Sequence, residues 1–190
     1  QKVCSYIDMP IQHIDDHLLR AMNRQGSRRQ IAEIIRAARA IVPGIALRTS
    51  LIVGFPGETP TRFKRLLEFV QEARFDHLGV FVYSREEGTA ASAMPSRISE
   101  KEKARRRDLV MEEQAVISYE INQGLIGTRQ EVLIEGKSDM PDYPYVGRCR
   151  RQAPDIDGVT YIRGRDLAIG RITDSRIVQA AEYDLFAKAL

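Results

Sequence analysis

Apolar residues recur along this chain with two periods, and the change from one to the other divides it. Val3 to Ile11 reads as a strand ending at Met9-Pro10, because proline has no N–H to give to a ladder. Asp15 then caps a short helix carrying Leu18, Leu19 and Met22, which closes at Arg24-Gln25-Gly26. Ile31, Ile34, Ile35 and Ala38 fall at helical spacing, so a second helix is predicted from Arg28 to about Val42, ended by Pro43-Gly44. Ile45 to Val53 is the next strand. Thr59-Pro60 opens a helix with Phe63, Leu66, Leu67 and Val70 on one face, and Leu78 to Tyr83 is again a strand. Strands joined by helices pair in parallel through right-handed crossovers, so this portion belongs to an α/β sheet or barrel. Three strands are too few to close an eight-stranded barrel.

A long polar helix follows from about Ser99 to Gly124, opened by the capping box S99-E-K-E102 and carrying Leu109, Ala115, Val116, Tyr119 and Ile121. Beyond Gly124 the runs become short and alternating: Gln130 to Ile134, Tyr145 to Cys149, Val159 to Ile162, Ile169 to Val178 and Tyr183 to Phe186. Such spacing predicts a small antiparallel barrel as a separate domain. The expected division is residues 1–124 and residues 125–190.

Composition narrows the function classes. With 190 residues and 43% hydrophobic content the chain can bury a core. Its formal net charge of +3 supplies no global cationic field. No apolar run approaches the roughly 20 residues that span a bilayer, and the start Q-K-V-C-S-Y lacks a secretory signal, so a cytoplasmic protein without a membrane partner is expected. The start on Gln, directly ahead of a strand-like run, reads as a piece of a longer protein. Cys4 and Cys149 have neither disulfide-framework nor metal-site spacing. Cys4 is expected to be a buried strand residue, while Cys149, between Arg148 and Arg150, sits where a thiol could be reactive.

Candidate chemistry gathers at the strand ends. R48-T-S-L-I-V-G-F-P-G-E-T59 breaks from strand into a turn with two glycines and a proline, which is either a plain corner or a place where backbone approaches a ligand. It lacks the Lys-Ser/Thr pair of a phosphate-binding loop. P10-I-Q-H-I-D15 puts Gln12 and His13 at a second strand end, where the histidine is a base, a ligand contact or a satisfied loop residue. Arg24 either offers a carboxylate-binding guanidinium or serves the negative end of its helix. Y83-S-R-E-E-G-T89 is a third strand end with a glycine turn, completing one rim. K101-E-K-A-R-R-R107 interleaves glutamate with base and reads as a solvated helix face.

Taken together, P10-I-Q-H-I, L18-L-R-A-M-N-R24, T49-S-L-I-V-G-F-P-G-E-T59, F81-V-Y-S and E87-G-T resemble the second half of a radical S-adenosylmethionine (SAM) methylthiotransferase barrel, over residues 1 to about 124. The resemblance implies an α/β partial TIM-type barrel, the C-terminal half of a radical SAM domain, followed by a small all-β TRAM barrel. It implies SAM contacts at Gln12, His13, Arg24, Thr49, Ser50, Ile52, Gly54 and Tyr83, with Arg24 near the cofactor's carboxylate. Ile52 and Gly54 fill the last two places of the superfamily's G-x-I-x-G strand, and Ser50 stands at the first glycine.

Two branches of the family compete. The tRNA-modifying branch carries Y-S-x-R-P-G-T where this chain has Y83-S-R-E-E-G-T89. The branch that modifies a ribosomal protein carries the acidic version, a motif like A153-P-D-I-D-G-V159 and an ending like E182-Y-D-L185. That branch methylthiolates the β-carbon of an aspartate in ribosomal small-subunit protein twelve. Residues Ile126 to Leu190 hold ten basic and ten acidic side chains, a neutral balance that favours a basic protein over tRNA phosphates. Asp155, Asp157, Glu182 and Asp184 are the candidate target-binding patch. Such enzymes use two [4Fe-4S] clusters, and the C-x-x-x-C-x-x-C triplet that holds the radical-generating one is not in this sequence. The expectation is therefore a catalytically inactive piece that binds no cluster. The alternatives are a tRNA adenosine methylthiotransferase and a non-catalytic ribosome- or RNA-binding module.

Overall fold

The computed structural model describes residues 3–95 and 98–190; Gln1, where the first expected domain begins, lies outside them. Two compact units are present, Ile7–Gln114 and Ala115–Leu190 together with the chain start through Tyr6. No helix is long and apolar enough to cross a membrane among the described residues.

The Ile7–Gln114 unit is built on a three-stranded sheet. β2 (Ala46–Val53) lies between β1 (Tyr6–Asp8) and β3 (His77–Val82). β2 and β3 run parallel, in register from Arg48↔His77 to Val53↔Val82. Side chains alternate across a pleated strand. Leu47, Thr49, Leu51 and Val53 are accordingly buried on one face of β2, while Arg48, Ser50 and Ile52 share the other, more open face.

The helices that join the strands begin where the sequence predicts. The Asp15 carboxylate accepts the amides of His17 and Leu18 at the start of α1 (Asp16–Ala21), and Ser27 caps α2 (Arg28–Ile41). Thr59 caps α3 (Pro60–Ala73), with Pro60 in the first turn, where its missing N–H costs nothing. α3 ends on Arg74 in the left-handed region, and α4 covers Glu100–Gln123. Leu18, Leu19, Leu51, Val53, Leu66, Val70 and Phe75 form the buried apolar centre.

Two expectations change here. The first strand is only Tyr6–Asp8, because Pro10 interrupts the ladder and Gln12 rejoins it by a single parallel bridge to Leu51. Cys4 precedes that shortened strand and is exposed, not buried.

The second unit contains a closed five-stranded barrel in the order β4-β5-β6-β8-β7, from β4 (Arg129–Lys137), β5 (Tyr145–Cys149), β6 (Thr160–Arg163), β7 (Ile172–Ala180) and β8 (Leu185–Ala189). Closure leaves no edge strand to pair with another chain. The expected antiparallel arrangement holds for four pairs, but β6 and β8 run parallel. The cause is topological: β7 crosses to close against β4, so β8 returns beside β6. Val132, Ile134, Ile162, Ile177, Leu185 and Ala187 fill the interior.

At Gly147 on β5 the Leu133 carbonyl of β4 occupies the space a Cβ would need. Gly147→Ala should therefore destabilise the barrel by about 1–3 kcal/mol, as overpacking does. Urea unfolding followed by circular dichroism checks this, and wild-type stability would show that the strands separate freely there.

Candidate functional site

The turn after β2 is held together from within. Gly54 (φ 78°) and Gly57 (φ 90°) adopt the left-handed backbone that glycine tolerates. The Gly54 amide donates to the Glu58 carboxylate, and the side-chain stem of Lys103 lies where a Gly54 Cβ would be. Glu58 is 2% exposed. Its carboxylate also accepts from Arg106 Nη1 at 2.9 Å and meets His13 Nε2 at 3.3 Å. His13 Nδ1 accepts the Asp15 amide at 2.9 Å, so in neutral His13 the proton sits on Nε2 and is donated to Glu58. Arg106 gives further hydrogen bonds to the Glu58 carbonyl and to Glu102, each 2.9 Å, and its guanidinium lies 5.3 Å from the Phe63 ring centroid.

Lys103 and Arg106 are 5% and 3% exposed, which corrects the reading of the 101–107 run as a solvated face. Lys103 Nζ reaches the Tyr83 carbonyl at 3.1 Å and Glu100 at 2.7 Å. A signal did exist: Lys103, Arg106, Val110, Gln114 and Ile117, all buried, repeat at the three-to-four spacing of one helix face. Charge masked it, because cations are seldom fully buried.

A cavity of about 490 Å³ opens at the ends of β2 and β3, lined by Gln12, Arg24, Ile52, Phe55, Phe81 and Tyr83 among others. Phe81 is 58% exposed. The Phe55 and Tyr83 rings meet edge to face at 5.1 Å, and the buried Tyr83 hydroxyl has no hydrogen-bond partner among the described residues. Gln12 reaches the cavity because it takes φ 67° while its amide donates to Ser50 O and its carbonyl accepts from Ile52 N. Arg24 follows Asn23 (φ 54°), and its own amide closes α1 on the Leu19 carbonyl.

Four of the eight expected cofactor contacts thus line one cavity: Gln12, Arg24, Ile52 and Tyr83. The other four do not. His13 is fully buried against Glu58. Thr49 lies on the buried face of β2, where its hydroxyl donates to Met9 O at 2.8 Å and accepts from Ile11 N, tethering the chain after β1. Ser50 shares the open face with Ile52 but receives a hydrogen bond from Arg48, and the Gly54 amide is taken by Glu58.

In the barrel unit, Asp157 accepts from the Tyr6 hydroxyl at 2.7 Å and the Ala153 amide at 2.8 Å, and Asp184 accepts the Val159 amide at 2.8 Å. Those two carboxylates hold loops. Of the expected acidic patch, Asp155 and Glu182 are the exposed members. Cys149 lies in the barrel interior and burial pushes its thiol pKa up, which corrects the expectation of reactivity. Among the described residues no group of three or more His, Cys, Asp or Glu side chains is arranged to hold a metal ion.

Comparison with known proteins agrees with this architecture. Residues 2–70 match the Radical SAM superfamily and residues 126–190 match the TRAM domain. Over its whole length the chain is 60% identical to the ribosomal protein uS12 methylthiotransferase RimO of Syntrophus aciditrophicus. The chain is similar to RimO along its whole length. RimO of Geobacter sulfurreducens is 49% identical over 100% of the chain, and RimO of Geotalea uraniireducens 49% identical over 98%. The chain spans 42% of the length of each of these RimO proteins.

Two outcomes follow from the Glu58 network. Arg106→Met strands a buried carboxylate and should cost about 3–5 kcal/mol in urea unfolding, whereas the double variant with Glu58→Gln should cost less than the sum of the singles. Additive losses would mean that the two side chains act separately. Hydrogen bonds from Arg105, then Arg106, lower the Glu102 pKa from 4.5 to about 2. A depressed carboxylate contributes stability above its unfolded pKa and loses it as pH falls through the folded one. Glu102→Gln should therefore flatten the fall in stability between pH 4.5 and 2; an unchanged acid-unfolding curve would remove Glu102 from the account.

Proposed function

We propose that this chain is part of a radical SAM methylthiotransferase that modifies an aspartate of ribosomal protein uS12, and that its cavity holds part of SAM. The observation that carries the site is the grouping of Gln12, Arg24 and the unpartnered Tyr83 hydroxyl around the apolar wall of Ile52 and Phe55. Those residues fit the cofactor by chemistry. A guanidinium pairs with the carboxylate of the methionine moiety, and a carboxamide and a phenol hydrogen-bond ribose or base. The aliphatic and aromatic wall accepts the flat adenine. Held by Gln12, Arg24 and Tyr83, SAM would supply radical chemistry for activating the target carbon. The residues present here orient the cofactor and exclude water from it, and Lys103 and Glu58 hold the rim on which they stand.

The similarity to RimO along the whole chain supports the ribosomal-protein target, as does the acidic Y83-S-R-E-E-G-T89 segment. In this reading the connector helix completes residues 1–124, residues 125–190 form the target-binding domain, and the protein works beside the ribosome in the cytoplasm.

The test uses the longer protein that contains this chain, with its clusters reconstituted and with SAM, a reductant and a sulfur source. It is offered uS12 and tRNA, and both are read by mass spectrometry. A methylthio increment on an aspartate of uS12 is expected; an increment on tRNA adenosine instead would refute the reading. Arg24→Ala should weaken SAM binding roughly 10- to 100-fold in equilibrium dialysis, the loss of one charge-assisted hydrogen-bonding group. Unchanged affinity would move the carboxylate site elsewhere. The isolated chain is expected to turn over neither substrate.

A further inference from the structure

Tyr83 follows β3 at the wall of the cavity and is fixed at every polar point but one. Its amide donates to the Val53 carbonyl at 2.9 Å, which carries the parallel pairing one residue past β3. Its carbonyl accepts from Lys103 Nζ at 3.1 Å, and the same ammonium lies 5.3 Å from the centroid of its ring, within the range of a cation–π contact. The edge-to-face contact with Phe55 holds the ring from another side. The hydroxyl is what remains, buried and with no hydrogen-bond partner among the described residues. A buried hydroxyl without a partner is costly and uncommon, and one at the wall of a cavity points to a partner supplied by a ligand.

Lys103 is arranged around that tyrosine. An ammonium has three N–H donors. Glu100 accepts one at 2.7 Å, and the other two contacts, carbonyl and ring, both belong to Tyr83. The Glu100 side chain is exposed, so water screens that pair, whereas Lys103 itself is buried and meets Tyr83 away from solvent. The Lys103 stem packs against Gly54, which fixes the line along which the ammonium approaches. A positive charge over one face of a phenol draws π density towards itself. The O–H becomes the stronger donor and the oxygen the weaker acceptor.

We infer that Lys103 is a positioning residue for the cofactor: it fixes Tyr83 and polarises the ring so that the phenol donates a hydrogen bond to an acceptor atom of the bound ligand. Tyr83 makes the contact, and Lys103 acts through it from α4, which supplies no residue to the cavity wall. The acceptor is a ring nitrogen of a base or an oxygen of a ribose; an amino group, which donates, would meet the weakened side of the phenol. The inference rests on the reading of the cavity as a SAM site and adds to it the direction of one hydrogen bond and the residue that sets it.

The test measures SAM affinity by equilibrium dialysis, together with the thermal midpoint, on the longer protein with its clusters reconstituted. Lys103→Met keeps an unbranched stem beside Gly54 and removes the charge, and it should weaken SAM binding roughly 5- to 10-fold. Tyr83→Phe should weaken binding by a similar factor without lowering the midpoint, because it removes a hydroxyl that the fold leaves unpaired. The double variant should bind no more weakly than the more affected single variant, as expected when one residue acts through the other. Tyr83→3-fluorotyrosine leaves Lys103 in place and decides the direction of the bond: withdrawing electrons should tighten binding about twofold if the hydroxyl donates. A lysine that served the fold alone would lower the midpoint and leave fluorination without effect. The inference is overturned if Lys103→Met binds SAM as wild type does, if the losses of the two single variants add, or if fluorination does not tighten binding. Arg24→Ala tells the two failures apart. If it weakens SAM binding while Lys103→Met does not, only the inference falls; if neither Arg24→Ala nor Tyr83→Phe alters the affinity, the cavity is not the SAM site and both fall.

Discussion

The geometry of the α/β unit depends on one buried carboxylate. Moving an ionised group out of water costs several kcal/mol, and Glu58 tolerates this only because donors converge on it. The Gly54 amide comes from the turn, His13 from the segment after β1, and Arg106 from α4. Each donor lies in a different stretch of chain, so the carboxylate ties the ends of two strands to a helix far away in sequence. An apolar residue could fill that space but could not set the direction of approach of three partners. The strand-to-helix turn is therefore a corner whose backbone is spoken for, and the glycines are there because the corner is tight and Lys103 packs across it.

That corner decides what reaches the cavity. With Gly54 and His13 committed to Glu58, and Thr49 on the buried face, the open side is left to the even-numbered face of β2 and to residues in left-handed backbone. Gln12 illustrates the coupling. It stands next to His13, so the buried histidine anchors the segment whose preceding residue lines the cavity. The Tyr83 carbonyl is in turn held by Lys103, from the same helix face that supplies Arg106. Few residues of the rim line the cavity, and those that fix their positions are the buried charged side chains Glu58, Lys103 and Arg106.

Much of the fold was legible because its signals are local. Asp15, Ser27 and Thr59 cap the helices at the residues where periodicity begins, and the apolar runs of the barrel fall within a few residues of the observed strands. The failures share a physical cause, since each depends on a partner distant in sequence. Arg106 reads as solvated until Glu58 is known to lie opposite it. Asp157 and Asp184 read as an acidic surface until Tyr6, Ala153 and Val159 claim them. The parallel β6–β8 pair cannot be read from alternation, which is the same in either direction. Four of the eight residues expected at the candidate site line one cavity, because strand ends are recognisable, but which face a residue takes depends on a register set by one proline and one bridged glutamine.

Charge shows the same limit from the other side. Ten basic and ten acidic residues make the barrel neutral, and neutrality alone argues against a polyanionic partner. Yet a field near a surface is set by the nearest few charges, because at physiological salt screening acts over about 8 Å. On that scale the total matters less than which strands are neighbours. Arg129, Arg176, Lys188 and Arg163 are scattered along the sequence, and only the order β4-β7-β8-β6 brings them into line. Of the acidic residues that balance them in the count, Asp174 pairs with Arg129 on that same face, Glu135 and Glu131 pair with Arg148 and Arg150, and Asp157 and Asp184 hold loop amides, so among the described residues Arg176, Lys188 and Arg163 are left without an acidic partner.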